Sequence, residues 1–172
     1  MRKVFFFCIL MTIALASCTP GDNNTPSDFS LELTWNTGSL PPEYTYSYVI
    51  TIGPELKGTL EYQLGYDDTT NVNKYSEDFQ ITQEDLAQLY NDLQDMFRED
   101  WKVGETMEGG PGASLTLSAY DKQFRVPSLS ELSGDDYARM DAAIETIREV
   151  VPVELWQELQ ARQQIYEEEY EY

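Results

Sequence analysis

Cys8 and Cys18 are the only two cysteines in this 172-residue chain, and there is no histidine to activate them. Ser-His and Cys-His nucleophile pairs, histidine metal clusters and imidazole acid–base catalysis are therefore excluded. No Lys follows a Ser at the helical spacing of three that a Ser-Lys dyad would use. Paired carboxylates for glycoside hydrolysis need only two acids about 5–10 Å apart. With 31 acidic residues such pairs arise by chance and single out no site. Asp67, Thr69, Asn71 and Asn73 place oxygen side chains at alternate positions, in outline a calcium loop. An EF-hand wants Gly sixth and Glu twelfth, but Val72 and Asp78 stand there. We read a polar loop, with at most weak calcium binding. Gly109-Gly110-Pro111-Gly112 lacks the following Lys of a phosphate cradle, and Glu105 and Glu108 precede it. It reads as a connector. The expected protein is not an enzyme and uses no cofactor and no metal.

Cys18 has a different chemistry. Arg2 and Lys3 open a leader whose thirteen residues Val4–Ala16 are nearly all apolar. That is shorter than the roughly 20 residues that cross a bilayer, and it fits a secretion signal. Leu15-Ala16-Ser17-Cys18 then resembles the lipobox of bacterial lipoproteins. The resemblance implies a diacylglyceryl thioether on Cys18, cleavage before it, and often a third acyl chain such as palmitate on its amine. Two or more chains hold firmly, where one alone is marginal. Lacking Asp, Thr19 argues, by the same resemblance, against retention at an inner membrane, so the expected location is the cell envelope, at the outer membrane where the host has one.

Cleavage removes Arg2 and Lys3 and leaves 9 basic against 31 acidic residues, a net charge of −22. Such a surface repels nucleic acid and anionic headgroups. Attachment to the membrane then falls to the lipid on Cys18. Cys8 leaves with the leader and Cys18 carries lipid, so no thiol remains for an intrachain disulfide.

We divide the chain into a signal peptide over residues 1–17, the lipidated Cys and a flexible tether over 18–28, one domain over 29–166, and an acidic tail over 167–172. The ten residues after Cys18 lack a large apolar side chain and would span about 18 Å as a coil. Phe29, Leu31, Leu33 and Trp35 alternate with polar residues as a strand. Tyr44, Tyr46, Tyr48, Ile50 and Ile52 give a second, and Leu60, Tyr62, Leu64 and Tyr66 a third in a hairpin with it. The tyrosine row runs on into Ile50 and Ile52, which marks it as a core face. Tyr75–Ile81 adds at most a short strand. Thr82 and Asp85 have capping-box spacing, and Leu86, Leu89, Tyr90, Leu93, Met96 and Phe97 continue one helical face to about Arg98. Leu115–Ala119 and Phe124–Val126 form a second hairpin, turning near Asp121-Lys122. Asp135 or Asp136 opens a helix that Pro152 interrupts, and Val153 begins the last, with Leu155, Trp156 and Leu159 as packing residues. The acids at 167–171 oppose a helix C-terminus, so fraying is expected there. Tyr166 and Tyr170, one turn apart, could add to an interaction surface.

The expectation is an α+β fold: an antiparallel sheet of about five strands covered on one face by two to three helices. From Tyr44 to Val151 the layout of tyrosine-rich hairpin, helix, glycine loop, hairpin and helix resembles small bacterial lipoprotein domains. The same layout is similar to that of emfourin, a proteinaceous inhibitor of thermolysin-like proteases; no inhibitory residue carries over. The functional expectation is a non-catalytic lipoprotein that binds or supports an unidentified protein or glycan partner. A protease inhibitor is the alternative, and a glycan-binding or glycan-processing protein the second.

Overall fold

The computed structural model describes residues 25–66, 72–106 and 108–170. Cys18, Asp67, Thr69 and Asn71 lie outside the described residues. The strands are β1 (Ser30–Asn36), β2 (Tyr46–Ile52), β3 (Lys57–Leu64), β4 (Lys74–Gln80), β5 (Gly112–Ala119) and β6 (Lys122–Val126). The helices are α1 (Gln83–Asp92), α2 (Asp135–Val150) and α3 (Val153–Tyr170). The strands form one sheet in the order β4-β3-β2-β1-β5-β6, with every neighbouring pair antiparallel. The fold is α+β, as the alternating strands and amphipathic helices require.

The sheet has six strands rather than about five. Residues 74–80 pair with β3 along their whole length. Only Phe79 of that edge strand is buried, so its sequence shows little alternation. Leu31 and Leu33 of β1, Ile50 and Ile52 of β2, Leu60 of β3 and Leu115 and Leu117 of β5 point to one face. They join Leu86 and Leu89 of α1, Met140, Ile144 and Ile147 of α2, and Leu159 of α3 in a single core. Each such side chain removed from water contributes about 1.5–3 kcal/mol. The opposite face carries Ser47, Thr51, Thr59, Ser114 and Thr116, and no helix among the described residues packs on it.

The capping box forms as its spacing predicts. Asp85 N donates to Thr82 Oγ1 at 3.0 Å, and Thr82 N donates to Asp85 Oδ2 at 2.9 Å. The helix stops sooner than expected, at Asp92, and a 3-10 turn over Gln94–Met96 follows. Met96 still reaches the core. The β5–β6 turn sits on Tyr120 and Asp121, with φ of 55° and 57°, the pair of positive values that a type I′ hairpin turn requires.

At both boundaries of the domain the described residues extend the ordered structure. Of the residues expected as tether, 18–24 lie outside the described residues; within 25–28, Pro26 is buried, and Phe29 N donates to Pro26 O at 3.1 Å. The acidic tail does not fray from 167, because α3 runs to Tyr170. Side-chain amides of Gln163 and Gln164 donate to Glu167 and Glu168 one turn on, and the Tyr166 and Tyr170 rings meet at 5.3 Å. These contacts offset the unfavourable helix-dipole term, which is worth about 0.3–1 kcal/mol. Gly65, at φ 68°, leaves the space that the Tyr166 hydroxyl fills.

Candidate functional site

The register gives the sheet two distinct ends. Ser30, Ile52, Gly58, Phe79 and Lys122 lie at the end where the chain enters from its N-terminal side. Asn36, Tyr46, Leu64, Lys74 and Gly112 lie at the other. We call these the entry end and the far end.

At the entry end Asp28 is the clamp. One carboxylate oxygen accepts Tyr120 N at 3.0 Å and the other Asp121 N at 2.7 Å. These two bonds hold the Asp28 carboxyl below its ordinary pKa. Phe29 is fully buried, edge-on to Tyr90 at 5.1 Å and beside Phe97 at 6.2 Å. The Tyr90 and Tyr120 hydroxyls share a hydrogen bond of 3.2 Å, which raises Tyr90 to about 12. The Asp28 carboxylate and the Tyr90 and Tyr120 hydroxyls are thus engaged within the chain.

A second carboxylate, Asp136 in the first turn of α2, is 2% exposed. It accepts Lys102 N at 2.8 Å and Arg139 Nη1 at 2.6 Å, with Arg98 Nη1 at 3.4 Å. The Lys102 N–H first, then the two guanidiniums, hold its carboxyl below the usual range. This group ties the chain after α1 to α2. Nothing in the sequence distinguishes it from the other acids.

The far end is built differently. β2 presents aromatic rings on the core face. Tyr48 stacks on Trp35 at 5.1 Å, Trp35 meets Tyr46 at 5.4 Å, and Tyr46 stacks on Tyr62 at 5.3 Å. The sequence placed Tyr44, Tyr46 and Tyr48 on one buried row. Tyr48 is buried and Tyr46 half-buried, but Tyr44 lies in a 3-10 turn before β2 and is 45% exposed. Tyr66 is also exposed, its hydroxyl donating to Leu40 O at 2.6 Å. The connection between β1 and β2 is held by Thr45 Oγ1, which reaches Leu40 O at 2.9 Å and Pro41 O at 3.0 Å.

Helix α3 crosses this end. Its Arg162 guanidinium lies over the Tyr75 ring at 4.2 Å and pairs with Glu158. Gln163 Nε2 donates to Glu43 O at 2.8 Å and to Glu167 Oε1 at 3.1 Å. A cleft of about 200 Å³ opens between α3 and the rings of β2 and β3, lined by Tyr46, Tyr62, Gln160, Gln163, Gln164 and Glu167. A larger depression of about 500 Å³ spans β2, β3 and β4, with Ser47, Glu61, Gln63, Lys74 and Ser76 among its lining residues.

Among the described residues three buried polar atoms have no hydrogen-bond partner: Tyr48 Oη, Gln63 Oε1 and Gln163 Oε1. All three belong to the far half of the sheet or to the helix that covers it. Burial raises the Tyr48 and Tyr62 phenols well above their ordinary values, so both stay neutral and able to donate.

The remaining sequence candidates do not converge on this region as a site. Asn73 ends the β3–β4 connection, and its carbonyl accepts Leu64 N at 3.0 Å. Gly109 O accepts Ser39 N at 3.3 Å, which ties the glycine-rich connector to the β1–β2 connection. Among the described residues no group of three His, Cys, Asp or Glu is placed to hold a metal ion. No described helix is long and apolar enough to cross a membrane. Gln163 was missed, although its signal was present: it interrupts the spaced row Trp156, Leu159, Tyr166 and Tyr170 on α3. No protein-family model matches this chain, and no curated protein matches it significantly.

Proposed function

We propose that the chain is a non-catalytic lipoprotein of the bacterial cell envelope, held to the membrane through lipid on Cys18, whose α+β domain binds or supports another macromolecule. The observation that carries the binding reading is the contrast between the two ends of the sheet. The chain enters at the end where Asp28, Tyr90 and Tyr120 are engaged within the chain. The unpartnered buried atoms Tyr48 Oη, Gln63 Oε1 and Gln163 Oε1 gather at the other, with exposed Leu40, Tyr44 and Tyr66 beside them. A lipid at Cys18 puts the membrane on the entry side and leaves the far end free to meet a partner. Buried polar atoms are normally paired, and each exception asks for an explanation. Gln163 lies on the helix side of the sheet and Gln63 on the Ser47 face, and a partner that supplies donors at this end explains either acceptor; Tyr48 Oη is sealed beneath Trp156.

The lipobox Leu15-Ala16-Ser17-Cys18 supports the anchor. Cys18→Ala should abolish labelling by a fatty-acid probe in the native host and release the domain from membranes. Labelling that persists in Cys18→Ala contradicts the anchor assignment.

A further inference from the structure

We propose that the cleft between α3 and the Tyr46–Tyr62 ledge is a binding site for a neutral saccharide. The proposal rests on the reading of the domain as a binding module and names the ligand class of its far end. It starts from a polar residue in an apolar position. Trp156, Leu159, Gln163, Tyr166 and Tyr170 recur at spacings of three and four along α3, the row that faces a core. Leu159 and Gln163 of this row are buried. Leu or Met would fill position 163 without leaving an acceptor unsatisfied. An amide stands there instead, with both of its N–H groups engaged by Glu43 O and Glu167 Oε1 and its Oε1 unpartnered. An unmade hydrogen bond of this kind is costly. The group it lacks is a donor.

The surroundings say what sort of donor. Gln160 and Gln164 lie on the same side of α3, three residues before Gln163 and one after it, and both are exposed. Glu167 completes the helix wall. Amides supply donors and acceptors side by side, and a carboxylate supplies acceptors. That set matches vicinal hydroxyl groups, each of which both donates and accepts. The facing wall is aromatic: the Tyr46 and Tyr62 planes lie 20° apart with centroids 5.3 Å from each other. Tyr46 is half-buried and Tyr62 is 5% exposed, so this wall offers the cleft a narrow apolar edge that sugar C–H groups can meet. None of the six lining side chains is cationic, and one is acidic. The chain as a whole carries −20. Phosphates, sulfates and uronic acids are therefore disfavoured. At about 200 Å³ the cleft is smaller than the roughly 300–1,000 Å³ of pockets that enclose a drug-sized ligand. It suits one ring of a longer chain whose remainder runs over the exposed Gln160 and Gln164.

The test uses the full chain, purified in detergent, with maltohexaose, cellohexaose, mannohexaose and chitohexaose as probes. Saturation-transfer NMR reads transfer from the protein to the sugar C–H protons. At least one probe should show saturable transfer, and Gln163→Leu should weaken it about tenfold or more. Gln164→Ala, at an exposed position, should weaken it while the circular dichroism and melting temperature stay those of the parent. The proposal is overturned if none of the four probes shows transfer, or if transfer survives both substitutions unchanged. If all four fail while a crosslinker at the far end still captures a protein in cells, the saccharide is wrong and the binding-module reading stands. If a probe binds and Cys18→Ala still takes up fatty acid, the cleft stands and the anchor reading falls.

Discussion

Where Ser30 begins β1, Asp28 takes both amides of the Tyr120-Asp121 turn, Phe29 is sealed between Tyr90 and Phe97, and the Tyr90 and Tyr120 hydroxyls bond each other. Where Asn36 ends β1, the backbone is as well tied, with Gly65 N donating to Thr45 O at 2.7 Å. The side chains there are not: Tyr48 Oη, Gln63 Oε1 and Gln163 Oε1 are buried without partners. Both ends belong to one sheet with one core, so the difference is not one of general packing quality. It lies in whether polar groups find their partners inside the chain. An end whose groups are spent on one another is built for stability. On the proposed reading, the end that keeps unpartnered acceptors is the one that meets a partner.

The largest expected effect is at the entry end. Phe29→Ala removes a fully buried ring from between two others and should lower unfolding free energy by about 3–5 kcal/mol, measured by urea denaturation. A loss below about 1 kcal/mol would mean that this end is not the stabilising one.

Acid should act next, and on the same end. Asp28, Asp85 and Asp136 are all held below their ordinary pKa values by hydrogen bonds from Tyr120, Asp121, Thr82 and Lys102, with Arg98 and Arg139 added at Asp136. An unfolded Asp titrates near about 3.9. The stability from these carboxylates is therefore complete above about pH 4 and is lost as pH falls through their depressed folded values. Amide protection factors at Tyr120, Asp121 and Lys102 should fall in that window before those at Tyr46 and Leu64. The reverse order would contradict the division between the ends.

The smallest expected effect on stability is at Gln163. Replacing it by Leu loses the bonds to Glu43 O and Glu167 but also removes an unpartnered acceptor. The two terms oppose each other, and the net change should stay within about 1 kcal/mol. A loss of several kcal/mol on thermal or urea unfolding would make Gln163 a structural residue.

Much of the architecture was legible in the sequence because it is written in alternation. Phe29, Leu31, Leu33 and Trp35 announce β1, Leu115 and Leu117 announce β5, and Thr82 with Asp85 marks the start of α1. β4 was faint because an edge strand with one buried side chain shows almost no period. The place of β1 between β2 and β5 depends on pairing between residues some 80 apart, as Leu33 with Leu115, which local pattern does not encode. Asp28 and Asp136 were hidden among 31 acids, since a clamp is defined by the backbone amides it meets. Gln163 was visible in principle as a polar residue in an apolar row. What made it a candidate was the geometry of Glu43 O and Glu167, which occupy its donors and leave its acceptor bare.

The most direct test of the account places a photo-crosslinking amino acid at Tyr44 or at Tyr120 in intact cells of the native host. Tyr120 is the more accessible, 64% exposed against 45% for Tyr44, so exposure alone favours capture at the entry end. The opposite is expected: a discrete adduct at position 44 and none at 120. Adducts at 120 alone, or equal capture at both positions, would contradict the assignment of the far end as the binding end.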